Sequence, residues 1–366
     1  MSRYKNLGTQ AFKESKVFNN PKVVTEGWYP VGASKKLKKG KTQTYKILEH
    51  QLVIFRGFDG EVRALDAFCP HMGAELSNGR VVKNRLQCFF HHWEFSGDGH
   101  LAQVPCMKNL PVGVVLNSYP VEEKYGFIWV YSGVTATHPV PQPPTLEEEQ
   151  VSSLYLRRGR LFAHHHVLMA SGIDLNHFAS VHNLDIDFKF EAVETEPNCF
   201  VWNLEGVLPT TGVKARIGRF LMGDKFRYSV KFSGGSVTSI TYGVAQKWKG
   251  RGFNLPSFHI LWGGTPLQSG VSDVDIFLVT KKFRGFFGGF KTLFLKVMTL
   301  FLLTVLKDED VKAFPGIRFQ AGHLIKGDES VARLIQMLHN LPISKWTGNG
   351  LTETVGESSC RSDKQH

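Results

Sequence analysis

From Trp28 to Val130 the apolar residues come in short runs, such as QLVIFRG, EVRALDAF and GFIWVYSG, cut by turns rich in Gly, Asp and Asn. Runs of that length between turn residues predict strands, and strands alone over this span predict a small all-β domain. The stretch HPVPQPPTLEEEQ, residues 138–150, replaces the pattern with closely spaced prolines and then acids, and reads as a linker. Beyond it the pattern is mixed. SLYLRRGRLFAHHHV and NCFVWNLEGVL read as strands, whereas the residues around 168–181 and 290–314 carry helical spacing, which predicts an α+β domain. The expected division is an N-terminal extension over 1–26, an all-β domain over 27–136, a linker over 137–150, an α+β domain over 151–346 and a disordered polar tail over 347–366.

The most apolar stretch, FFGGFKTLFLKVMTLFLLTVL at 286–306, is interrupted by Lys291 and Lys296, leaving ten uninterrupted residues before Lys307. A membrane span needs about 20 apolar residues. The expected structure is therefore a buried or pocket-lining helix, with a helix lying on a membrane surface as the alternative. The N-terminal MSRYKNLGTQAFKESK has charges where a secretory leader needs an apolar core. Five cysteines, Cys69, Cys88, Cys106, Cys199 and Cys360, form an odd set in a chain of 366 residues large enough to need no disulfides. A reducing, cytoplasmic setting is expected.

Composition adds charge. Lys and Arg number 44 against 32 Asp and Glu, so the surface attracts an anionic partner: nucleic acid, an anionic membrane or an acidic redox protein. The densest basic run, Lys35, Lys36, Lys38, Lys39 and Lys41, comes without a nucleic-acid-binding motif, which ranks nucleic acid last.

Two constellations carry chemistry. CPHMG at 69–73 and CFFHHW at 88–93 place Cys69 with His71 and Cys88 with His91, each pair in its own loop. Two thiolates and two imidazoles suit a [2Fe–2S] cluster in which one iron takes both sulfurs and the other both histidines. The competing assignment is a structural zinc ion, which accepts the same four donors. Zinc fingers pair their histidines on a helix after a Cys pair, whereas here each loop mixes the two types in β-type sequence.

The second constellation is ASGIDLNHFASVHN at 170–183, with Asp174, His177 and His182. On an ideal helix Asp174 lies about 60° from His177 and about 80° from His182, but the histidines lie about 140° apart. The helix must bulge or end between them if both are to meet one metal. Two histidines and a carboxylate leave coordination positions open on Fe(II), the arrangement of non-haem oxygenases. Asp174 can serve as a ligand or as an acceptor for a ring N–H of a ligand. A third run, His164, His165 and His166, reads as the surface of a strand, because three consecutive side chains of a strand cannot converge.

The two motifs, with HLAQVP at 100–105, resemble those of the Rieske non-haem iron oxygenases over about residues 27–345. The family usually has Pro and Gly where this chain has Phe89 and His92, and often Asn where it has Ala170 or Ser171. The resemblance implies an α+β fold with an N-terminal all-β Rieske domain, then a catalytic domain with an antiparallel sheet and iron-bearing helices. It implies a cluster on Cys69, His71, Cys88 and His91, and Fe(II) on His177, His182 and a late carboxylate. Asp308, Glu309 and Asp310 are the candidates for that carboxylate. A helical wheel sets Asp310 beside Leu303, Leu306 and Phe314, so Asp310 is expected over Asp308, and two of the three acids are expected to be solvated. Asp174 would then link His177 to His91 of a neighbouring copy in a trimer.

The activity so implied is oxidation of a hydrophobic, aromatic or polycyclic small molecule with O2. It would use electrons from NAD(P)H delivered by a separate flavin reductase or ferredoxin, since no nucleotide-binding fingerprint occurs. Among its members the chain is more similar to single-subunit enzymes of amino-aromatics, steroids or alkyl pyrroles. The other classes to be tested are an electron-transfer Rieske protein and a zinc-stabilised binding protein.

Overall fold

The computed structural model describes residues 16–243, 257–314, 317, 319 and 323–347. Its first half is built from Trp28–Ala33 (β1), Thr42–Ile47 (β2), His50–Arg56 (β3), Val62–Asp66 (β4), Arg80–Val82 (β5), Arg85–Gln87 (β6), Glu94–Phe95 (β7), Leu101–Gln103 (β8), Ser118–Tyr119 (β9), Val121–Lys124 (β10) and Phe127–Tyr131 (β11). They form three antiparallel sheets, ordered β1-β11-β10, β2-β3-β4-β9 and β5-β6-β7-β8. Strand β3 explains the unbroken run QLVIFRG. Its Leu52 and Ile54 enter one core with Tyr29, Ile47 and Val130, while Val53 and Phe55 enter another with Leu86, Phe95, Cys69 and Cys88. A strand buried on both faces has no polar side to alternate.

The second half is one seven-stranded antiparallel sheet made of Val151–Leu161 (β12), Lys189–Glu196 (β13), Cys199–Val207 (β14), Lys225–Ser233 (β15), Val237–Tyr242 (β16), Phe258–Gln268 (β17) and Val271–Lys281 (β18). Its order is β12-β18-β17-β16-β15-β14-β13. Alternation along β17 and β18 sends Leu261, Phe277 and Val279 to one face, against Trp28, Trp129 and Tyr131 of the first half. Trp262 and Val274 point to the other, under the helices. Two adjacent glycines serve both faces. A Cβ on Gly263 would lie 2.7 Å from Pro30, and one on Gly264 2.6 Å from the His165 side chain, so neither layer could approach a larger residue as it does.

The described helices of four or more residues are His165–Ser171 (α1), Leu175–Ser180 (α2), Val213–Met222 (α3), Gly288–Ala313 (α4) and Glu329–His339 (α5). The single helical span expected around 168–181 is two helices, and α3 and α5 are additions to the expected set. Val331, Leu334, Ile335 and Leu338 of α5 pack with Met169 of α1 and Phe178 of α2 in the larger core. Val17 and Phe18 belong to that same core, so residues 16–26 are not a loose extension.

At the other end Ile343 bridges Thr25, Thr347 Oγ1 accepts from Val24 N, and Trp346 lies in the core of the first half. The tail expected to be disordered from 347 is held at Thr347, and 348–366 lie outside the described residues, as does Cys360.

Helix α4 corrects the expectation of a buried apolar helix. Gly288, Thr292, Leu295 and Thr299 face inward while Phe290, Phe294 and Phe301 are exposed. High hydropathy measured how apolar the helix is and not which side it turns to the protein. Among the described residues no helix is long and apolar enough to cross a membrane.

Candidate functional site

The two Cys–His loops have the same local build. The carbonyl of Cys69 accepts from Gly73 N at 2.8 Å and that of Cys88 from His92 N at 3.1 Å, and both loops turn there through positive φ, 71° and 57°. Gly73 adopts that conformation without strain; His92 does so as a side-chain-bearing residue. The turns bury Cys69 and Cys88 and leave His71, His91 and His92 exposed at the tip. His71 lies flat on Trp93, with ring centroids 4.4 Å apart, and 4.7 Å from the ring of His91. Burial pushes the Cys69 thiol up to about 11, opposed by the backbone N–H groups of His71 and Met72 and reinforced by Cys88 beside it. Two adjacent buried thiols become thiolates when a cation compensates them. The donor set therefore fits a metal group.

The second constellation is assembled from three segments. Helix α2 ends at Ser180, between the two histidines, and Val181 closes it by donating to His177 O. Asn183 then turns through positive φ, 54°, and His182 leaves the helical wheel. Its ring comes to 4.8 Å from that of His177, nearly perpendicular at 88°. Helix α4 brings Asp310, whose Oδ1 lies 2.8 Å from His177 Nε2 and 3.4 Å from His182 Nε2. One ligand atom from each of the three lies within 4.8 Å of the others, so a single cation can be held there.

Two residues have roles that spacing concealed. Glu309 is not solvated at a helix end: its Oε2 accepts from His182 Nδ1 at 2.8 Å, and Lys214 of α3 pairs with it. Burial alone would raise the Glu309 carboxyl, but the bonds from Lys214 and His182 hold it below its usual range. With Nδ1–H donated to Glu309, His182 presents Nε2 as a lone-pair donor toward Asp310. Asp174 is the N-cap of α2, its Oδ1 accepting from the backbone N–H of Asn176 and His177 at 3.0 and 3.2 Å. Burial raises its pKa. The Asp308 backbone lies in α4, and its side chain is outside the described set.

Beside His182 stands an aromatic wall. Phe178 is 5.8 Å from its ring and 5.1 to 5.4 Å from Phe188 and Tyr228, with Phe226 and Tyr242 continuing the layer. The buried hydroxyl of Tyr228 has no hydrogen-bond partner among the described residues.

The His164–His166 run is corrected. Strand β12 stops at Leu161, His164 caps α1, and all three rings are buried. Their ligand atoms also lie within 4.8 Å of one another, because the first turn of a helix lets consecutive side chains fold back where a strand cannot. His165 Nε2 and His166 Nε2 reach Gly235 O at 2.9 and 3.1 Å, and His166 Nδ1 accepts from Asn19 N at 3.0 Å. They anchor the N-terminal segment to the sheet. Of the remaining cysteines, Cys106 is exposed and Cys199 buried.

The sequence pattern of the Rieske [2Fe-2S] domain matches residues 27–120. This chain carries a Rieske [2Fe-2S] domain. Its Rieske domain contains both Cys–His loops and implies a [2Fe–2S] cluster. Among curated relatives, the chain is 34% identical over 170 residues to cholesterol 7-desaturase nvd of Hemicentrotus pulcherrimus, covering 44% of this chain and 36% of that protein. It is 29% identical over 168 residues to the probable 3-ketosteroid-9-alpha-monooxygenase oxygenase component of Rhodococcus rhodochrous, covering 44% of this chain and 42% of the relative. The matches span about two fifths of those relatives' lengths or less.

The fold likeness extends beyond the Rieske domain. Dicamba monooxygenase bound to dicamba superposes with a TM-score of 0.57 at 20% identity, covering 85% of this chain and 95% of that one. NdmB of Pseudomonas putida CBB5 superposes with a TM-score of 0.61 at 15% identity, covering 85% and 89%.

Proposed function

We propose that this chain is the terminal oxygenase of a Rieske non-haem iron system, acting on a hydrophobic, polycyclic or aromatic small molecule. The observation that carries the reading is one chain holding both a Rieske domain and, in its second half, His177, His182 and Asp310 converging within ligand distance. The domain boundaries that go with it are 27–136 for the Rieske domain, 137–150 for the linker and 151–346 for the catalytic domain. Cys69, His71, Cys88 and His91 would hold the cluster, and His177, His182 and Asp310 the mononuclear iron. When bound, the cluster supplies single electrons and the iron a site for activating dioxygen.

The chain's own residues do the rest. Glu309, held by Lys214, fixes the tautomer and direction of His182. Asp174 sets the start of α2, and so the height of His177, through the cap. Its Oδ2 is the atom a link to His91 of a neighbouring copy would use, which requires an oligomer, proposed as a trimer. Phe178, Phe188, Phe226 and Tyr228 are a buried aromatic layer next to His182, an apolar setting that favours a ring-bearing substrate. The names of the relatives, a cholesterol desaturase and a ketosteroid monooxygenase component, favour a steroid-like outline. Electrons would come from NAD(P)H through a separate reductase or ferredoxin.

The test is the metal and sulfide content of the purified protein with its spectrum. The oxygenase should contain about three iron and two sulfide per chain, and His177→Ala should lose one iron and keep the cluster absorption. Two iron with no response to His177→Ala would make it an electron-transfer protein. A colourless protein without sulfide would make it a zinc protein.

A further inference from the structure

Helix α4 is built inside out. At about 100° per residue its inward residues, Gly288, Thr292, Leu295 and Thr299, occupy one narrow arc, and two of them are threonines whose hydroxyls bond back to Gly288 O and Leu295 O. The opposite arc, about 120° wide, holds Phe290, Leu293, Phe294, Val297, Leu300 and Phe301, all exposed. Phe290 is 70% and Leu293 61% exposed, and Phe286 just ahead of the helix 97%. A stripe of large apolar side chains running about 16 Å along one helix is not a scatter of surface residues. The water-facing side of a helix is normally its polar one.

The charge around the stripe selects what covers it. Residues 276–307 contain no acid, and carry Lys281, Lys282, Arg284, Lys291, Lys296 and Lys307. Lys281 is paired with Glu149 and Lys296 donates to Ser153 O, while Lys282, Arg284 and Lys291 are exposed. A second copy paired two-fold through this stripe would set the basic face against itself, and any copy brings the same net charge of +12. An anionic lipid surface complements both the stripe and its cations.

We propose that the outward face of α4 seats this protein on the surface of an anionic bilayer, with the aromatic stripe in the acyl boundary and the lysines and arginine at the headgroups. The helix lies on the membrane and does not cross it. Asp310 follows Phe301 by nine residues on the same helix, about 13 Å along its axis, so a substrate dissolved in the bilayer would reach the iron-binding residues over a short path. That consequence alone rests on the oxygenase reading, because adsorption needs no catalysis.

The experiment is sedimentation of the full chain with vesicles of phosphatidylcholine, with and without phosphatidylglycerol. Three exposed cations should favour the anionic vesicles on the order of a hundredfold. Phe290→Asp with Phe294→Asp should lower binding to anionic vesicles by at least about tenfold. Lys282→Glu with Arg284→Glu and Lys291→Glu should abolish the preference for anionic lipid with the circular dichroism spectrum unchanged. Failure of the wild type to bind, or full binding by the Phe290→Asp/Phe294→Asp protein, overturns the proposal. A smaller oligomer for that variant in light scattering also overturns it, since a second copy would then be the occupant. A chain that binds vesicles but lacks the mononuclear iron overturns only the oxygenase reading.

Discussion

Replacing Glu309 with Gln tests whether His182 is oriented from behind. The substitution keeps the shape of the side chain and an oxygen to accept from His182 Nδ1, now 2.8 Å from Glu309 Oε2, but removes the charge that strengthens the bond and pairs with Lys214. Carboxylates that support a metal-binding histidine contribute about 10- to 100-fold in metal affinity, about 1.4 to 2.7 kcal/mol. The His182 side chain is 4% exposed but that of Glu309 is 32% exposed, so solvent screens part of the effect and the expected loss is near the lower end, about tenfold. Competition between the protein and a chelator for Fe(II), under anaerobic conditions and with cluster absorption constant, measures it. A double-mutant cycle with His182→Ala locates it, because the Glu309→Gln effect should disappear when His182 is absent. Affinity within about twofold of wild type for Glu309→Gln would refute the reasoning.

Tyr228→Phe removes a buried hydroxyl with no partner among the described residues, so thermal stability should hold or rise by about 1 kcal/mol; a loss of that size would mean the hydroxyl is bonded in solution. Trp346→Ala empties a fully buried site against Tyr29, His50 and Tyr119 and should cost about 3 to 5 kcal/mol in denaturant unfolding, with a cost under about 1 kcal/mol counting against the packing. Burial holds His164 and His166 well below their ordinary value of 6.5, and His165 and His259 down to about 4. Below pH 6.5 the unfolded chain takes up protons that these folded imidazoles refuse, so stability present at neutral pH falls as pH drops, by up to about 1.4 kcal/mol per unit for each group. Melting temperatures from pH 7.5 to 4.5 check this, and His165→Gln, if it folds, should flatten the slope; a melting temperature that does not fall over that range would contradict the assigned burial.

What could be read in advance depended on how far apart the partners lie in sequence. Cys69 with His71 and Cys88 with His91 are adjacent in their loops, so their grouping is local and visible. The break between His177 and His182 followed from helical geometry, and α2 does stop at Ser180. Glu309 was hidden because its partners are remote: His182 lies 127 residues away and Lys214 95 residues away, on a helix the pattern did not predict. The histidine run misled because alternation was carried past Leu161, where β12 ends, into the first turn of α1. In α4 the sequence shows the apolar content, and the exposed side carries much of it. Hydropathy reports content, and only the position of the neighbouring sheet reports direction.

The closure of the chain has a consequence for synthesis. Trp346 completes the core around Tyr29, Ile47, Leu52 and Val130, yet it is made more than two hundred residues after the last of them. During translation that site in the first core stays open until residue 346 has emerged. A fragment ending near residue 136 would carry the same open cavity permanently, and isolating it would call for redesign of the surface that Trp346 covers.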